Sequence, residues 1–139
     1  MRRFESGRRL FIYMNMQINK ELENLEKVLK KLRKENKILL AYLFGSFASG
    51  KPHARSDIDL AIYINASKKE AIEIIDEILM STDREIEILR LDDEEESPFI
   101  IQQALKGIPI VKPHLDTLYN VAHRVLHEAE SIRFRREHK

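Results

Sequence analysis

The sequence predicts a small mixed α/β domain of the α+β kind, with a short sheet flanked by helices on one side. Three observations predict it. Helix-spaced and strand-spaced apolar patterns interleave along the chain in the order helix, strand, turn, strand, helix, strand, helix, helix. The 139 residues suit one core, and no repeat or low-complexity stretch suggests a second domain. Apolar residues make up 43% and charged residues 34%, a globular composition with a heavily charged surface.

The elements follow in order. Residues 1–15 read as a basic N-terminal extension carrying Arg2, Arg3, Arg8 and Arg9, and residues 16–139 as the single domain. Over residues 18–36, Ile18, Leu22, Leu25, Val28, Leu29 and Leu32 recur at helical spacing. The continuous apolar run in residues 37–44 reads as a buried strand that Gly45 ends. Residues 51–56 form a loop with Pro52 as punctuation. Residues 57–64 alternate, with Ile58, Leu60, Ile62 and Ile64 on one face and Asp57, Asp59, Ala61 and Tyr63 on the other.

Ser67 and Glu70 match a capping box opening a helix over 67–80, with Ala71, Ile74, Ile75, Ile78 and Leu79 as its stripe. Residues 84–91 alternate again, Ile86 and Ile88 against Glu85 and Glu87. Pro98 starts a short helix, with Phe99, Ile100, Ile101 and Leu105 read as core, and Gly107 closes it. Residues 109–111 form a short edge strand. A last helix over 115–133 turns Leu115, Leu118, Val121, Ala122, Val125 and Ala129 inward.

Net charge is +1, so no overall polyanion-binding character follows, and no direct nucleic-acid binding is expected. Absence of cysteine excludes disulfides and thiolate chemistry. No run approaches membrane-spanning length, and a cytoplasmic protein is expected. His123 and His127 stand four apart on a helix but lack the Glu of a metalloprotease motif, and read as a surface or partner-facing pair.

The chemistry concentrates between residues 45 and 87. Asp57 and Asp59, two apart on a strand, point the same way roughly 7 Å apart. Two carboxylates on a strand flanked by core need a cation, and neither Lys nor Arg alternates into that strand. Hard Mg²⁺ prefers carboxylate oxygen. Glu87, or less well Glu85, would make a third acid, and such a cluster can hold two Mg²⁺ ions. Gly45 lets the backbone approach a ligand, and the Ser46 hydroxyl with helix-start N–H groups suits a triphosphate. Lys51, His53 and Arg55 add charge in the same loop.

Gly45-Ser46, ten intervening residues, then Asp57-Ile58-Asp59 resembles the signature of the polymerase-beta nucleotidyltransferase superfamily. In its short form the chain is similar to a minimal nucleotidyltransferase, the antitoxin of HEPN–MNT toxin–antitoxin pairs. The resemblance covers residues 18–91 well and the tail loosely. It implies a polymerase-beta-like fold, with Asp57, Asp59 and Glu87 catalytic and metal-binding. It also implies that Gly45, Ser46, Lys51 and Arg55 hold ATP, with Mg²⁺ as cofactor. The implied partner is a HEPN ribonuclease toxin, silenced by AMP placed on a tyrosine hydroxyl.

Two positions depart from the pattern. Glu87 stands where the family usually carries Asp. Ser49 precedes the loop glycine where relatives often carry a basic residue, which shifts phosphate contacts toward Lys51 or Arg55. The alternative function is inhibition of the toxin by binding and occlusion alone. Transfer to a small molecule such as an antibiotic is the less favoured reading, because those relatives usually carry an added substrate domain.

Overall fold

The computed structural model describes residues 16–45 and 57–137. The first helix, α1 (Met16–Lys34), feeds the strand β1 (Ile38–Phe44) through a turn in which Asn36 takes a positive φ of 58°. Asparagine tolerates that left-handed geometry better than most residues. Then come β2 (Ile58–Ile64), α2 (Lys68–Leu79), β3 (Ile86–Arg90), α3 (Pro98–Leu105), β4 (Ile108–Pro109) and α4 (Leu115–Glu137). The main elements come in the expected order, and the short edge strand between the last two helices falls at Ile108–Pro109 rather than 109–111.

The four strands lie in the order β3-β2-β1-β4. β1 runs antiparallel to β2 and to β4, while β2 and β3 are parallel and joined through α2. The sheet is therefore mixed. Because β2 and β3 run the same way, both begin at one end of the sheet, and β1 ends there.

Helices cover both faces rather than one. Leu25, Leu29 and Leu32 of α1 and Ala71, Ile74 and Ile78 of α2 pack with Ile58, Leu60 and Ile62 on one face. Ile101 and Ala104 of α3 and Val121 and Val125 of α4 pack with Leu40, Tyr42, Ala61 and Leu89 on the other. A two-sided core explains why β1 is apolar throughout, since a strand covered on both faces has no polar side.

Ser67 caps α2 as its sequence suggests, its hydroxyl accepting the Glu70 N–H at 3.2 Å. Ser67→Ala is expected to lower stability by about 1 kcal/mol, read from the shift in denaturant midpoint. Three expected core positions differ. Leu115, the first residue of α4, is 73% exposed. Leu79 ends α2 at 40% exposure, and Ile100 is 44% exposed on the outer side of α3 while Ile101 is fully buried. The C-terminal half of α4 is held to α3 by the Arg133 guanidinium, 5.5 Å from the Phe99 ring centre. No helix among the described residues is long and apolar enough to cross a membrane.

Candidate active site

The sheet gathers its acids at the end where β2 and β3 begin. Asp57 immediately precedes β2 and is exposed; Asp59, two residues on, is half-buried. Glu87 on β3 lies directly beside Asp59 in the parallel register. In-register neighbours on adjacent strands sit about 4.8 Å apart and project from the same face. Glu87 is exposed, as is Glu85 at the next step outward. On the other side of β2, Phe44 at the end of β1 pairs with Asp59.

Gly45 follows Phe44 with a φ of +71°, a left-handed conformation that L side chains rarely adopt. A Cβ built there would collide with the carboxylate of Asp59. The sequence suggests that glycine serves close approach to a ligand. The structure supplies a nearer reason, which is room for the Asp59 side chain.

Gly107 performs a related service that sequence reasoning missed. A Cβ on it would collide with the Leu43 carbonyl and lie 3.0 Å from the Phe44 Cβ. Its backbone thus seats the α3–β4 turn against the end of β1. Its position between a helix and a strand pointed only to helix termination. The neighbour it packs on is a tertiary fact.

Electrostatics follow from this crowding. Burial raises the Asp59 carboxyl above its ordinary pKa of 3.8. The nearby Glu87 charge and its hydrogen bond to the protonated form raise it further, and the Asp57 charge adds to them. The site concentrates negative charge on hard oxygen donors and favours whatever neutralises them, either a proton or a cation. That donor set fits a hard divalent ion such as Mg²⁺. Among the described residues, however, no group of three His, Asp or Glu side chains converges to hold a metal. Asp59 with Glu87 is the close pair, and Asp57 stands at its edge. Of the residues expected to hold the nucleotide, Ser46, Lys51 and Arg55 lie outside the described residues, as does His53 of the same stretch.

Residues 26–114 match the family model for polymerase beta nucleotidyltransferases, well over half of the chain. The chain belongs to the polymerase beta nucleotidyltransferase family. Its fold recurs in solved toxin–antitoxin structures. A chain of a toxin–antitoxin crystal structure with AMP-PNP shares 23% identity at a TM-score of 0.61, over 81% of this chain and 92% of that one. A chain of the MntA-HepT toxin–antitoxin crystal structure shares 20% identity at a TM-score of 0.56, over 82% and 91%. A third structure holds a tri-AMPylated Shewanella oneidensis HEPN toxin in complex with MNT antitoxin. The match to it has 20% identity and a TM-score of 0.57 over 84% and 92%. No curated protein matches the chain in sequence.

This nucleotidyltransferase domain carries both aspartates of its motif at one sheet end with Glu87 adjoining. Two other clusters lie away from these acids. His123 and His127 stack with ring centres 6.4 Å apart on an exposed face of α4, and Tyr119 extends the row at 5.8 Å. At the opposite end of the sheet, Arg90 grips Asp92 through contacts of 3.1 and 2.6 Å, and Asp92 accepts the Ile64 N–H at 3.3 Å. That network ties the end of β3 to β2.

Proposed function

We propose that this chain is the antitoxin of a HEPN toxin pair and silences its partner by moving AMP from ATP to a tyrosine hydroxyl. The observation that carries this reading is the Asp59–Glu87 pair on adjacent strands, with Asp57 at its edge, in a nucleotidyltransferase-family domain. The AMP-PNP and the tri-AMPylated toxin in the structures it resembles support the nucleotide and the acceptor.

The tyrosine oxygen attacks the α-phosphorus, and one oxygen–phosphorus bond forms. The bond from that phosphorus to the bridging oxygen breaks, and pyrophosphate leaves with the electron pair. The phenolic proton passes to the Glu87 carboxylate and then to solvent. Asp59, with Asp57 at its edge, would hold Mg²⁺, which when bound would supply positive charge at the phosphates, and Glu87 is left free to take the proton. Burial of Asp59 under Gly45 fixes its carboxylate, so it is oriented before substrate arrives. Ser46, Lys51 and Arg55 are the residues proposed to bind the triphosphate.

The exposure of Glu87 and its extra methylene favour a second reading, a domain that grips the toxin without transfer. One experiment separates the two. The chain is incubated with α-labelled ATP, Mg²⁺ and a purified HEPN-family partner. Label on the partner, absent with Glu87→Ala and reduced about tenfold or more with Glu87→Asp, supports transfer with Glu87 acting on the proton. No label, with stable complex and lost ribonuclease activity, supports occlusion.

A further inference from the structure

Among the described residues β3 is the outer strand of the sheet, and β2 is its strand partner. Parallel pairing determines which of its backbone groups are used. Ile58 donates its N–H to the Glu85 carbonyl at 2.9 Å, and Leu91 donates to the Ile62 carbonyl at 2.8 Å. The register between them runs without a shift. In such a pair alternate residues direct both N–H and C=O to the neighbour. Residues 85, 87, 89 and 91 therefore face β2. The N–H groups of Ile86, Ile88 and Arg90 point outward, away from the sheet.

We propose that this outward edge is the docking surface for the acceptor, which adds to β3 as an extended strand carrying the tyrosine. The proposal rests on the transfer reading above. Continuity with the site is the first argument. The acid assigned to the phenolic proton sits on the edge strand itself, so a segment paired there delivers its hydroxyl with no other element between. The incoming backbone would lie about 4.8 Å from β3 and about 10 Å from β2. Every second side chain would then share the face of Glu87 and Asp59, and a tyrosine is long enough to reach across one strand.

Charge is the second argument. Glu85 and Glu87 both stand exposed on that face, at alternate positions of the edge. A segment with Lys or Arg two residues from its tyrosine complements them across the strand pair. Main-chain bonds would provide grip and the alternate side chains selectivity, the general mode of strand addition.

Ile88→Pro removes one outward N–H and leaves every bond to β2 in place. Ile88→Ala loses comparable packing but keeps the N–H. AMP transfer to the HEPN-family acceptor is expected to fall at least about tenfold in Ile88→Pro relative to Ile88→Ala, with ATP binding equal in both. Equal transfer would overturn the proposal. Amide exchange on the wild-type complex tests it without a variant. Ile86, Ile88 and Arg90 should gain protection when the acceptor binds. Protection confined to α2 or α4 would overturn it, as would a dimer of the chain alone with these three amides already protected. If no acceptor takes AMP from the wild-type chain, the transfer reading falls and the docking proposal with it. That outcome is distinct from transfer that ignores the edge.

Discussion

Asp59→Asn is expected to abolish the proposed AMP transfer and yet raise the melting temperature. The native carboxyl is raised above its ordinary pKa by burial and by the neighbouring Glu87 and Asp57 charges, so its ionised form is disfavoured in the fold. In the unfolded chain the same carboxyl ionises near its ordinary value of 3.8. Below that pH both states hold the proton, and Asp59 carries no penalty. As pH climbs through the raised native value, the fold must ionise a crowded carboxyl that the unfolded chain ionises freely. The stability present at low pH is then lost.

Asparagine is nearly isosteric and carries no charge, so the variant escapes this penalty. The site is partly solvated, and screening keeps the effect modest. A rise of roughly 2–4 °C in melting temperature near neutral pH is expected, shrinking toward zero below about pH 4. Transfer should fall by about 10²–10⁴-fold, the range for losing a positioned acid–base or electrostatic group. Thermal melts at several pH values and labelled-ATP turnover read the two effects separately. A variant both less stable and inactive would mean that Asp59 is mainly a structural hydrogen-bonding group.

A proposed site residue that costs stability is the local inconsistency that sites display, and it was visible in the sequence. Asp57 and Asp59 sit in an alternating strand whose other positions are apolar, so the strand period puts both acids on one face. Glu87 was equally legible, because β3 alternates too. Their meeting across β2 and β3 was implied by the resemblance of the motif and by no local pattern, since it depends on parallel register. The two-sided core had a signal that went unused. The unbroken apolar run of β1 indicates cover on both faces, whereas the expectation put helices on one side. Leu115 was misplaced for a different reason. Helical spacing identifies a stripe but not which of its positions a partner covers, and Leu115 at the first position of α4 is left exposed. The cap at Ser67 was readable because its bond is made within three residues.

Gly45 carries the second large effect. Gly45→Ala meets two separable costs. Its φ of +71° strains any L residue by about 1–2 kcal/mol, and the new methyl collides with the Asp59 carboxylate. Together these should lower unfolding stability by roughly 2–4 kcal/mol and reduce transfer sharply, because the Asp59 carboxylate must turn away from its native position to relieve the collision. The double variant Gly45→Ala/Asp59→Ala separates the costs. Removing the carboxylate removes the collision but not the strain, so the alanine at 45 should now cost only about 1–2 kcal/mol. A coupling of about 1–2 kcal/mol from denaturant unfolding of the two single variants and the double would locate the constraint in the Gly45–Asp59 contact. Additive costs would place it in the backbone turn alone. The glycine of the motif would then serve the loop that follows, and Asp59 would owe its position to the strand pairing of Phe44 and Glu87 on either side.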